Sequence, residues 1–463
     1  MYKLIGITGP QLKQKGVSAA MESSLNQANR QSVYRNIKSK KTEESEEKVL
    51  TSPNHEVHEV WNNVGLLLIC MFLPVYLLLI LDGCQPPTEP WLFFGAGIAQ
   101  LWDWGALQLV VFFTVLQGML YYLPLGKVVE GKVGHDGTHI KYSMNGLHAL
   151  TLTVLLLAGL WHQGLFQGSS VTSRVPQLVT ACTAVALVLS IGLYLRSFTV
   201  VPQQLVNYGT RSNFLQEFAL GREMDPSLGK MDLKQFFMVR IGFVGWAVVD
   251  ICYLLTEIAK NEWPSISLLL VVIFHFIYIL DFLINEDSIL PTKEYTEDGI
   301  GFIMVLGEFI WIPFYSSVPV YFLLHRPTEI SLLPAVLICL MFGFGFAVYY
   351  LSNEEKSEFR KNPNNPALAH LETITSPSGK KLLVSGWFGW VRHPNYLGDI
   401  AMTLAWCLPC GYTSLLPYMP AIQCTNLLRL RAAEIEKVCS KRHGEAWQEY
   451  CRRVPYKLVP YVY

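Results

Sequence analysis

The chain has 463 residues, of which 51% are hydrophobic and only 16% are charged. A chain of this length with so few charged residues is not an ordinary soluble domain, so the composition indicates an integral membrane protein. The formal net charge is zero, which gives no support for direct binding of nucleic acid or of an acidic partner.

Residues 1–60 are polar, with Ser, Asn, Gln and charged side chains of both signs. A segment with so little apolar surface cannot bury a core, and we predict a disordered tail. No apolar run near Met1 is typical of a cleaved signal peptide. The membrane domain is therefore predicted to occupy residues 61–463.

Apolar runs long enough to cross a membrane begin at Val64–Leu81. Seven more follow, at residues 105–123, 146–161, 175–195, 236–255, 266–284, 299–324 and 332–351. Two shorter runs lie between Ile400 and Leu428. The sequence predicts an all-α, polytopic integral membrane protein with about ten transmembrane helices.

Lysine and arginine are concentrated in alternate loops between the predicted helices. The tail before the first run is basic, residues 82–104 contain neither Lys nor Arg, and the next loop is basic again. Basic loops accumulate on the cytoplasmic side of a membrane. The tail, the polar segment 352–399 and the C-terminus are therefore predicted to be cytoplasmic.

Ten cysteines are scattered along the chain, mostly inside apolar runs, where a thiol behaves as a small hydrophobe. Cys407 and Cys410 form a CxxC inside a predicted helix, without a second pair of ligands. We interpret them as packing residues, with redox chemistry or metal binding as the alternative. No metal site is predicted.

Lys356 and Arg360 lie four residues apart, which places them on one face of a predicted helix. Such a cationic pair suits a phosphate group. The alternative is that both side chains extend from a helix end to the cytoplasmic membrane surface.

The densest polar cluster follows in SGWFGWVRHPNYLGD, Ser385–Asp399. Polar residues at membrane depth are costly unless they face a cavity, so the cluster is a candidate site. Arg392 can bind oxyanions, Asn395 can bind an amide or a sugar hydroxyl, and Tyr396 can stack on a planar ring. These groups suit a nucleotide cofactor. The sequence has no GxGxxG after a predicted strand, no GxxxxGK and no HExxH, so a nucleotide would bind within the helical bundle.

Two long C-terminal runs carry a family resemblance: EFRKNPNNPALAHLETITSPSGKKLLVSGWFGWVRHPNYLGDIAMTLAWCLPCG and HGEAWQEYCRRVPYKLVPYVY. Five shorter segments upstream also carry it: YYLPLGKVVEG, KYSMNGLHAL, ALGREMDP, DGIGF and GEFIWIPF. Together these segments resemble the sterol C14-reductase family. That family includes the delta-14-sterol reductases and the membrane domain of the lamin B receptor. The RHPNY element alone is less specific, because membrane isoprenylcysteine methyltransferases carry similar elements. Those proteins are shorter and would not match the upstream segments.

The resemblance implies reduction of the sterol C14=C15 double bond with NADPH, in which a proton adds to the alkene and the nicotinamide delivers hydride to C14. It also implies a sterol substrate, contact with membrane lipid, and a multi-pass location in the endoplasmic reticulum or inner nuclear membrane. The NADPH pocket is expected within residues 350–456. The residues expected to contact the cofactor are Lys356, Arg360, Leu383, Phe388, Arg392, Asn395, Tyr396, Cys439, His443 and Tyr450.

Three acidic residues are candidates for the proton-transfer step or its relay. They are Glu286 in INED, Asp298 in EDGIGF and Glu308 in GEFIW. Acidic residues within a membrane domain are costly to bury and frequently functional.

At several positions the chain departs from residues that are usual in the family. The departures lie at Tyr350, Phe388, Leu430, Ala432, Ile435 and His443, and at Arg240–Gly242, which reads RIG where the family has RPG. Ile435 replaces a cofactor-contacting Asp, and Ala432 replaces another acidic residue. A lost hydrogen-bonding carboxylate typically costs about 1–3 kcal/mol, so several such changes can abolish turnover while the fold survives.

Two functions remain open at this point. The first is a working NADPH-dependent delta-14-sterol reductase. The second is a lamin B receptor-like nuclear-envelope protein with a degenerate reductase domain, whose tail binds lamin or chromatin proteins. Retention of most cofactor contacts favours the enzyme.

Overall fold

The computed structural model describes residues 53–86, 98–134, 137–206, 213–377 and 379–462. The chain divides into two units, Met1–Leu68 and Ile69–Tyr463. In the first unit the described residues are the beginning of one helix, which starts at Pro53. The predicted tail lies outside the described residues as far as residue 52, so its disorder stays a prediction.

The described part of the chain is mainly helical. Its principal helices are α1 Pro53–Cys84, α2 Trp104–Tyr121, α3 Gly146–His162, α4 Val175–Arg196, α5 Leu233–Asn261, α6 Ile266–Ile284, α7 Phe302–His325, α8 Leu332–Lys361, α9 Pro394–Cys407, α10 Met419–His443 and α11 Glu445–Arg453. Short helices and helical turns occupy Ile98–Leu101, Ser169–Thr172, Pro202–Gln204, Phe214–Leu220, Glu286–Ile289, Lys293–Thr296, Pro366–Leu368, Trp387–Trp390, Leu408–Cys410 and Leu416–Tyr418.

Among the described residues, seven helices are long and apolar enough to cross a membrane: α1 from Val64 onward, α2, α4, α5, α6, α7 and α8. The predicted helical, polytopic membrane class is confirmed. The predicted count of ten is approximate, because α3 has 17 residues and α9 has 14, whereas a perpendicular span needs about 20. Helix α10 is long, but its second half is highly charged.

In the described part of the chain, three antiparallel hairpins, which the hydropathy pattern did not predict, lie in loops between helices. They pair β1 Lys127–Val133 with β2 His139–Met144, β3 Ser227–Leu228 with β4 Met231–Asp232, and β5 Thr373–Thr375 with β6 Lys381–Leu383. The third hairpin matters for function, because it lies between α8 and α9 and carries Leu383.

Helices α5 and α7 each contain a π-helical stretch, at Phe236–Val244 and Gly307–Tyr315. The two stretches pack against each other within the main hydrophobic core. A Cβ at Gly242 would meet Oε2 of Glu308, so glycine lets the Glu308 carboxyl approach the α5 backbone. Wider π turns often occur at functional sites, since they displace side chains from the regular helical path.

Helices α8 and α9 pack closely where two glycines meet. A Cβ at Gly398 would lie 2.6 Å from the carbonyl oxygen of Gly345 and 2.6 Å from the backbone nitrogen of Tyr349. Small residues at such a crossing let two backbones approach. The crossing brings the cationic end of α8 beside the start of α9, which defines the candidate site.

Candidate active site

The cationic pair lies at the C-terminal end of α8, as the spacing predicted. Arg360 is exposed, whereas Lys356 is half-buried and its Nζ lies 5.4 Å from the ring centroid of Phe388. An ammonium over an aromatic face is held electrostatically. Lys356 is therefore directed at the segment before α9 rather than extended along the surface.

Hydrophobic packing and one hydrogen bond bring distant parts of the chain together around Phe388. Leu383 and Phe388 pack with Phe359 of α8 in one small buried cluster. The hydroxyl of Tyr450 on α11 donates to the carbonyl oxygen of Phe388 at 3.1 Å. Tyr450 also belongs to a second cluster, against which Cys439 of α10 packs. Residues from α8, β6, α10 and α11 thus surround one segment.

Three cationic side chains act electrostatically on the Cys439 thiol. Burial raises the pKa of Cys439, and Arg442, Lys356 and Arg360 act in the opposite direction. Like charges held close together repel one another unless an anion is present. The arrangement suits a ligand with several phosphate charges.

Arg392 is buried and engaged within the protein. Its Nε donates to Glu436 at 2.8 Å, and its Nη1 donates to the carbonyl oxygens of Val454 at 2.8 Å and Pro455 at 3.1 Å. Glu436 also pairs with Lys457 at 3.1 Å. Two of the three guanidinium nitrogens therefore attach the C-terminal segment to α10. Contact between Arg392 and a cofactor stays a prediction.

The RHPNY segment presents a neutral imidazole beside the two predicted contacts at the start of α9. The rings of His393 and Tyr396 stack with centroids 5.1 Å apart. Burial, together with the nearby charges of Lys356, Arg392 and Lys457, lowers the pKa of His393 to about 4. Within the described ranges, its buried Nε2 has no hydrogen-bond partner. A buried polar atom without a partner is unusual, so His393 is a candidate ligand group beside Asn395. The sequence-based set included Asn395 but omitted His393.

His443 is buried at the end of α10. Burial lowers its pKa, with Arg442 and Lys380 acting in the same direction. Its Nδ1 has no hydrogen-bond partner in the described part of the chain. Among the described residues, His393 and His443 therefore each have one buried imidazole nitrogen without a hydrogen-bond partner.

The three predicted acidic residues lie in different environments. Glu286 is 1% exposed; its Oε1 accepts from Gln235 Nε2 at 2.6 Å and its Oε2 from the Gly146 backbone N–H at 2.8 Å. Burial raises the pKa of Glu286, and the charge of buried Arg240 lowers it. Both carboxylate oxygens are engaged, so Glu286 ties the start of α3 to α5.

Glu308 and Asp298 differ in their exposure and partners. Glu308 lies in the π-helical stretch of α7, where its Oε2 is buried without a hydrogen-bond partner among the described residues. Asp298 is exposed in the loop before α7, and its backbone carbonyl accepts from Lys234 Nζ at 2.6 Å. Glu286 approaches α5 near Arg240, and Glu308 approaches it at Gly242. Because Arg240 and Gly242 are two positions apart in the helix, the two carboxyls contact different faces of α5.

A further acid was missed in the sequence-based set. Asp399 lies one turn after Asn395 on α9, and its carboxyl is hydrogen-bonded to the hydroxyl of Tyr278 on α6. The final residue of the SGWFGWVRHPNYLGD motif was the available signal. No sequence signal marked Tyr278, because a single tyrosine in an apolar helix cannot be distinguished by sequence from a packing residue.

The departures from the family pattern divide between the surface and the interior: Phe388, His443 and Arg240–Gly242 are buried. Leu430, Tyr350 and Ile435 are 60%, 40% and 37% exposed, whereas Ala432 is fully buried. An acidic side chain at position 432 would require the surrounding packing to open. Ile435 lies one turn before Cys439 on α10, which leaves room for a longer polar side chain beside the cationic group.

Cys407 and Cys410 are buried, unbridged thiols, consistent with a packing role. Within the described ranges, no three His, Cys, Asp or Glu side chains are placed to hold a metal ion. NADPH fits the group around Cys439 better, because the cations suit phosphates and the unpartnered nitrogens suit sugar or amide groups.

Comparison with known proteins places this arrangement in context. Residues 66–463 match the model of the ergosterol biosynthesis ERG4/ERG24 family. The delta(14)-sterol reductase TM7SF2 of Mus musculus is 42% identical over 367 residues, covering 79% of this chain and 88% of the relative. The delta(14)-sterol reductase erg24 of Schizosaccharomyces pombe is 34% identical over 367 residues, covering 78% and 86%.

A third relative bears on the alternative function. The delta(14)-sterol reductase LBR of Gallus gallus is 35% identical over 405 residues, covering 87% of this chain. The match covers 63% of that relative, so this chain resembles one part of a longer protein.

Proposed function

The chain belongs to the ergosterol biosynthesis ERG4/ERG24 family, and from that premise we propose that it reduces the C14=C15 double bond of a sterol with NADPH. The convergence of Lys356 and Arg360 with Cys439 beside the start of α9 is the observation that carries the proposal. A multi-pass protein can take its sterol from the surrounding lipid, and we place it in the endoplasmic reticulum membrane, the inner nuclear membrane or both.

The cationic group binds the cofactor from the cytoplasmic side. Lys356 and Arg360 hold phosphate oxygens, because charge-assisted hydrogen bonds are stronger than neutral ones. Asn395 and the Nε2 atom of His393 orient the sugar or amide groups, and the Tyr396 ring stacks beside them. Leu383, Phe388 and Tyr450 shape the wall, and Tyr450 fixes the Phe388 backbone.

When bound, NADPH supplies the hydride that is added to C14. Tyr278 donates the proton to C15, so one proton and one hydride saturate the double bond. The Asp399 carboxyl is hydrogen-bonded to Tyr278; in its protonated form it donates to the hydroxyl oxygen, so the single Tyr278 proton is free to transfer to C15. Water from the cytoplasm then restores the proton of Tyr278. The buried carboxyl of Glu308 remains a candidate for this relay, whereas Glu286 has a mainly structural part and Asp298 is exposed.

The runner-up is a lamin B receptor-like membrane protein with little or no turnover. The 35% identity to the Gallus gallus relative and the loss of a carboxylate at Ile435 favour it. In that case the tail, residues 1–60, binds lamin or chromatin proteins, and the polar cluster persists as packing.

Complementation of a yeast strain without C14-reductase tests the proposal. Expression of the full chain should remove the C14-unsaturated sterols that accumulate in that strain, and the Tyr278→Phe variant should not remove them. Continued accumulation with a stable, membrane-inserted wild-type protein would contradict the proposed reductase activity and favour the runner-up.

A further inference from the structure

A cavity lies away from the proposed cofactor contacts. It has a volume of about 290 Å³ and is lined by α2, α3, α4, α5 and α7 and by the loop after α3. Its wall is aliphatic and aromatic apart from two cysteines and the hydroxyl of Thr153. Small-molecule sites in proteins start at about this size and have this mixture of an apolar wall with few polar groups.

The cavity opens toward the part of the surface that faces lipid. Phe112 on α2 and Leu165 after α3 both line it and are 59% and 77% exposed. Because α2 is a candidate membrane span, the opening faces hydrocarbon. An occupant can therefore enter from the bilayer and leave part of its length there.

One place on the wall offers hydrogen bonds. Thr153 Oγ1 donates to the Ala149 carbonyl oxygen at 2.7 Å and accepts from Gln117 Nε2 at 2.9 Å. Gln117 is fully buried, and its Oε1 has no hydrogen-bond partner among the described residues. A hydroxyl has two acceptor lone pairs, so Thr153 can accept one more bond. The amide oxygen of Gln117 behind it lacks a donor.

The cavity and the candidate active site use different sides of α5. Gly245 lines the cavity, whereas its neighbour Trp246 contacts Trp406 of α9, with ring centroids 6.1 Å apart. The proposed cofactor contacts lie on α8–α11 and the loop between α8 and α9. Neither Tyr278 nor any proposed cofactor contact lines the cavity, so an occupant there does not meet the proposed proton donor.

We propose that this cavity is a second sterol site, in which a 3β-hydroxysterol places its ring system against α2, α3 and α5 and donates its hydroxyl to the Thr153–Gln117 pair. A sterol matches the site because it is a rigid apolar body with one polar end. A phospholipid acyl chain has no donor for the pair. The inference goes beyond the proposed reductase activity, and its test measures binding rather than turnover.

Photolabelling of the full chain in phosphatidylcholine nanodiscs tests the site. The probes are a diazirine-bearing cholesterol and its 3-O-methyl ether, which cannot donate a hydrogen bond. The cholesterol probe should label peptides of α2, α3 or α5 at concentrations about three- to tenfold below those the ether needs, a range expected for one hydrogen bond. Equal labelling by alcohol and ether would overturn the proposal in favour of an acyl-chain site.

Variants test the two ends of the site separately. Thr153→Val should weaken labelling by cholesterol about three- to tenfold, while Thr151→Val should not, because Thr151 makes the same type of bond to its own helix on the exposed side. Val248→Phe should fill the cavity and abolish labelling, whereas Val188→Phe, at a 67% exposed position of α4, should leave it unchanged. Unaltered labelling in both cavity variants, or labelling confined to α8–α11, would overturn the proposal. Because the alcohol-to-ether comparison uses the wild-type chain, the test stands even if a variant fails to fold.

Discussion

At the scale of single residues, a test on Lys356 and Arg360 distinguishes two interpretations of the pair: binding of the cofactor phosphates and extension to the membrane surface. Replacement of both by Ala should weaken NADPH affinity by about tenfold or more for each lost charge-assisted bond, with little effect on sterol binding. Isothermal titration of the purified double variant measures the change.

The adjacent Lys361 provides a matched control. It is exposed and paired with Glu358 at 3.0 Å, so Lys361→Ala should leave NADPH affinity unchanged. If the double variant binds NADPH as tightly as the wild type, the pair belongs to the membrane surface instead.

A variant at Ile435 tests whether loss of the carboxylate that is usual in the family has weakened NADPH binding. Ile435→Asp should raise NADPH affinity about tenfold, equivalent to about 1.4 kcal/mol, because a carboxylate there can accept from sugar hydroxyls. The single change is preferable to one that also alters Ala432, because a charge at that fully buried position is costly.

Ser440→Asp is the control for added charge, since it places the same group on another face of α10. Weaker or unchanged NADPH binding in Ile435→Asp, together with measurable wild-type turnover, would show that the pocket works around the apolar residue.

At the scale of elements, the α8–α9 crossing couples packing to the site. Gly398→Ala should destabilise the protein by about 1–3 kcal/mol through overpacking, since its Cβ would meet the Gly345 backbone. Separation of the helices should also weaken NADPH binding, because Lys356 lies on α8 and Asn395 lies on α9.

Gly343 gives the comparison within α8. A Cβ there would meet nothing within 4 Å, so Gly343→Ala should preserve both the thermal midpoint and NADPH affinity. Equal behaviour of the two alanine variants would mean that the crossing does not position the site.

Sequence periodicity predicted the helices well and the irregular elements poorly. A long apolar run such as Leu332–Tyr350 has one stable form in a bilayer, because a helix satisfies every backbone group internally. The π-helical stretches and short hairpins depend on packing between distant segments. Gly242 lies against Glu308 because α5 packs on α7. The local sequence of either helix does not predict that contact.

The candidate site was predictable where function follows from local spacing. Lys356 and Arg360 share a helix face because they are four residues apart, and the RHPNY motif marks the start of α9. The engagement of Arg392 with Glu436, the unpartnered nitrogen of His393 and the Tyr278–Asp399 contact depend on tertiary placement. The spacing of residues in the chain carries no information on them.

At the scale of the whole molecule, the charge pattern of the loops predicts the direction in which the pocket faces. Residues 82–104 contain no Lys or Arg, whereas the polar segment 352–399 contains Lys356, Arg360, Lys361, Lys380 and Lys381. Positive loops remain in the cytoplasm during insertion. The cofactor group at the end of α8 should then face the compartment that supplies NADPH.

Glycosylation tags test this orientation in the full chain. A tag inserted at residues 85–100 should be modified, and a tag at residues 365–378 should remain unmodified, because glycosyl transfer occurs only on the lumenal side. Each tagged protein should first be shown to reach the membrane, so that an unmodified tag reports its side and not a failure of insertion. The reverse pattern would place Lys356 and Arg360 in the lumen. It would then contradict cytoplasmic entry of NADPH while leaving the helical fold and the membership of the family intact.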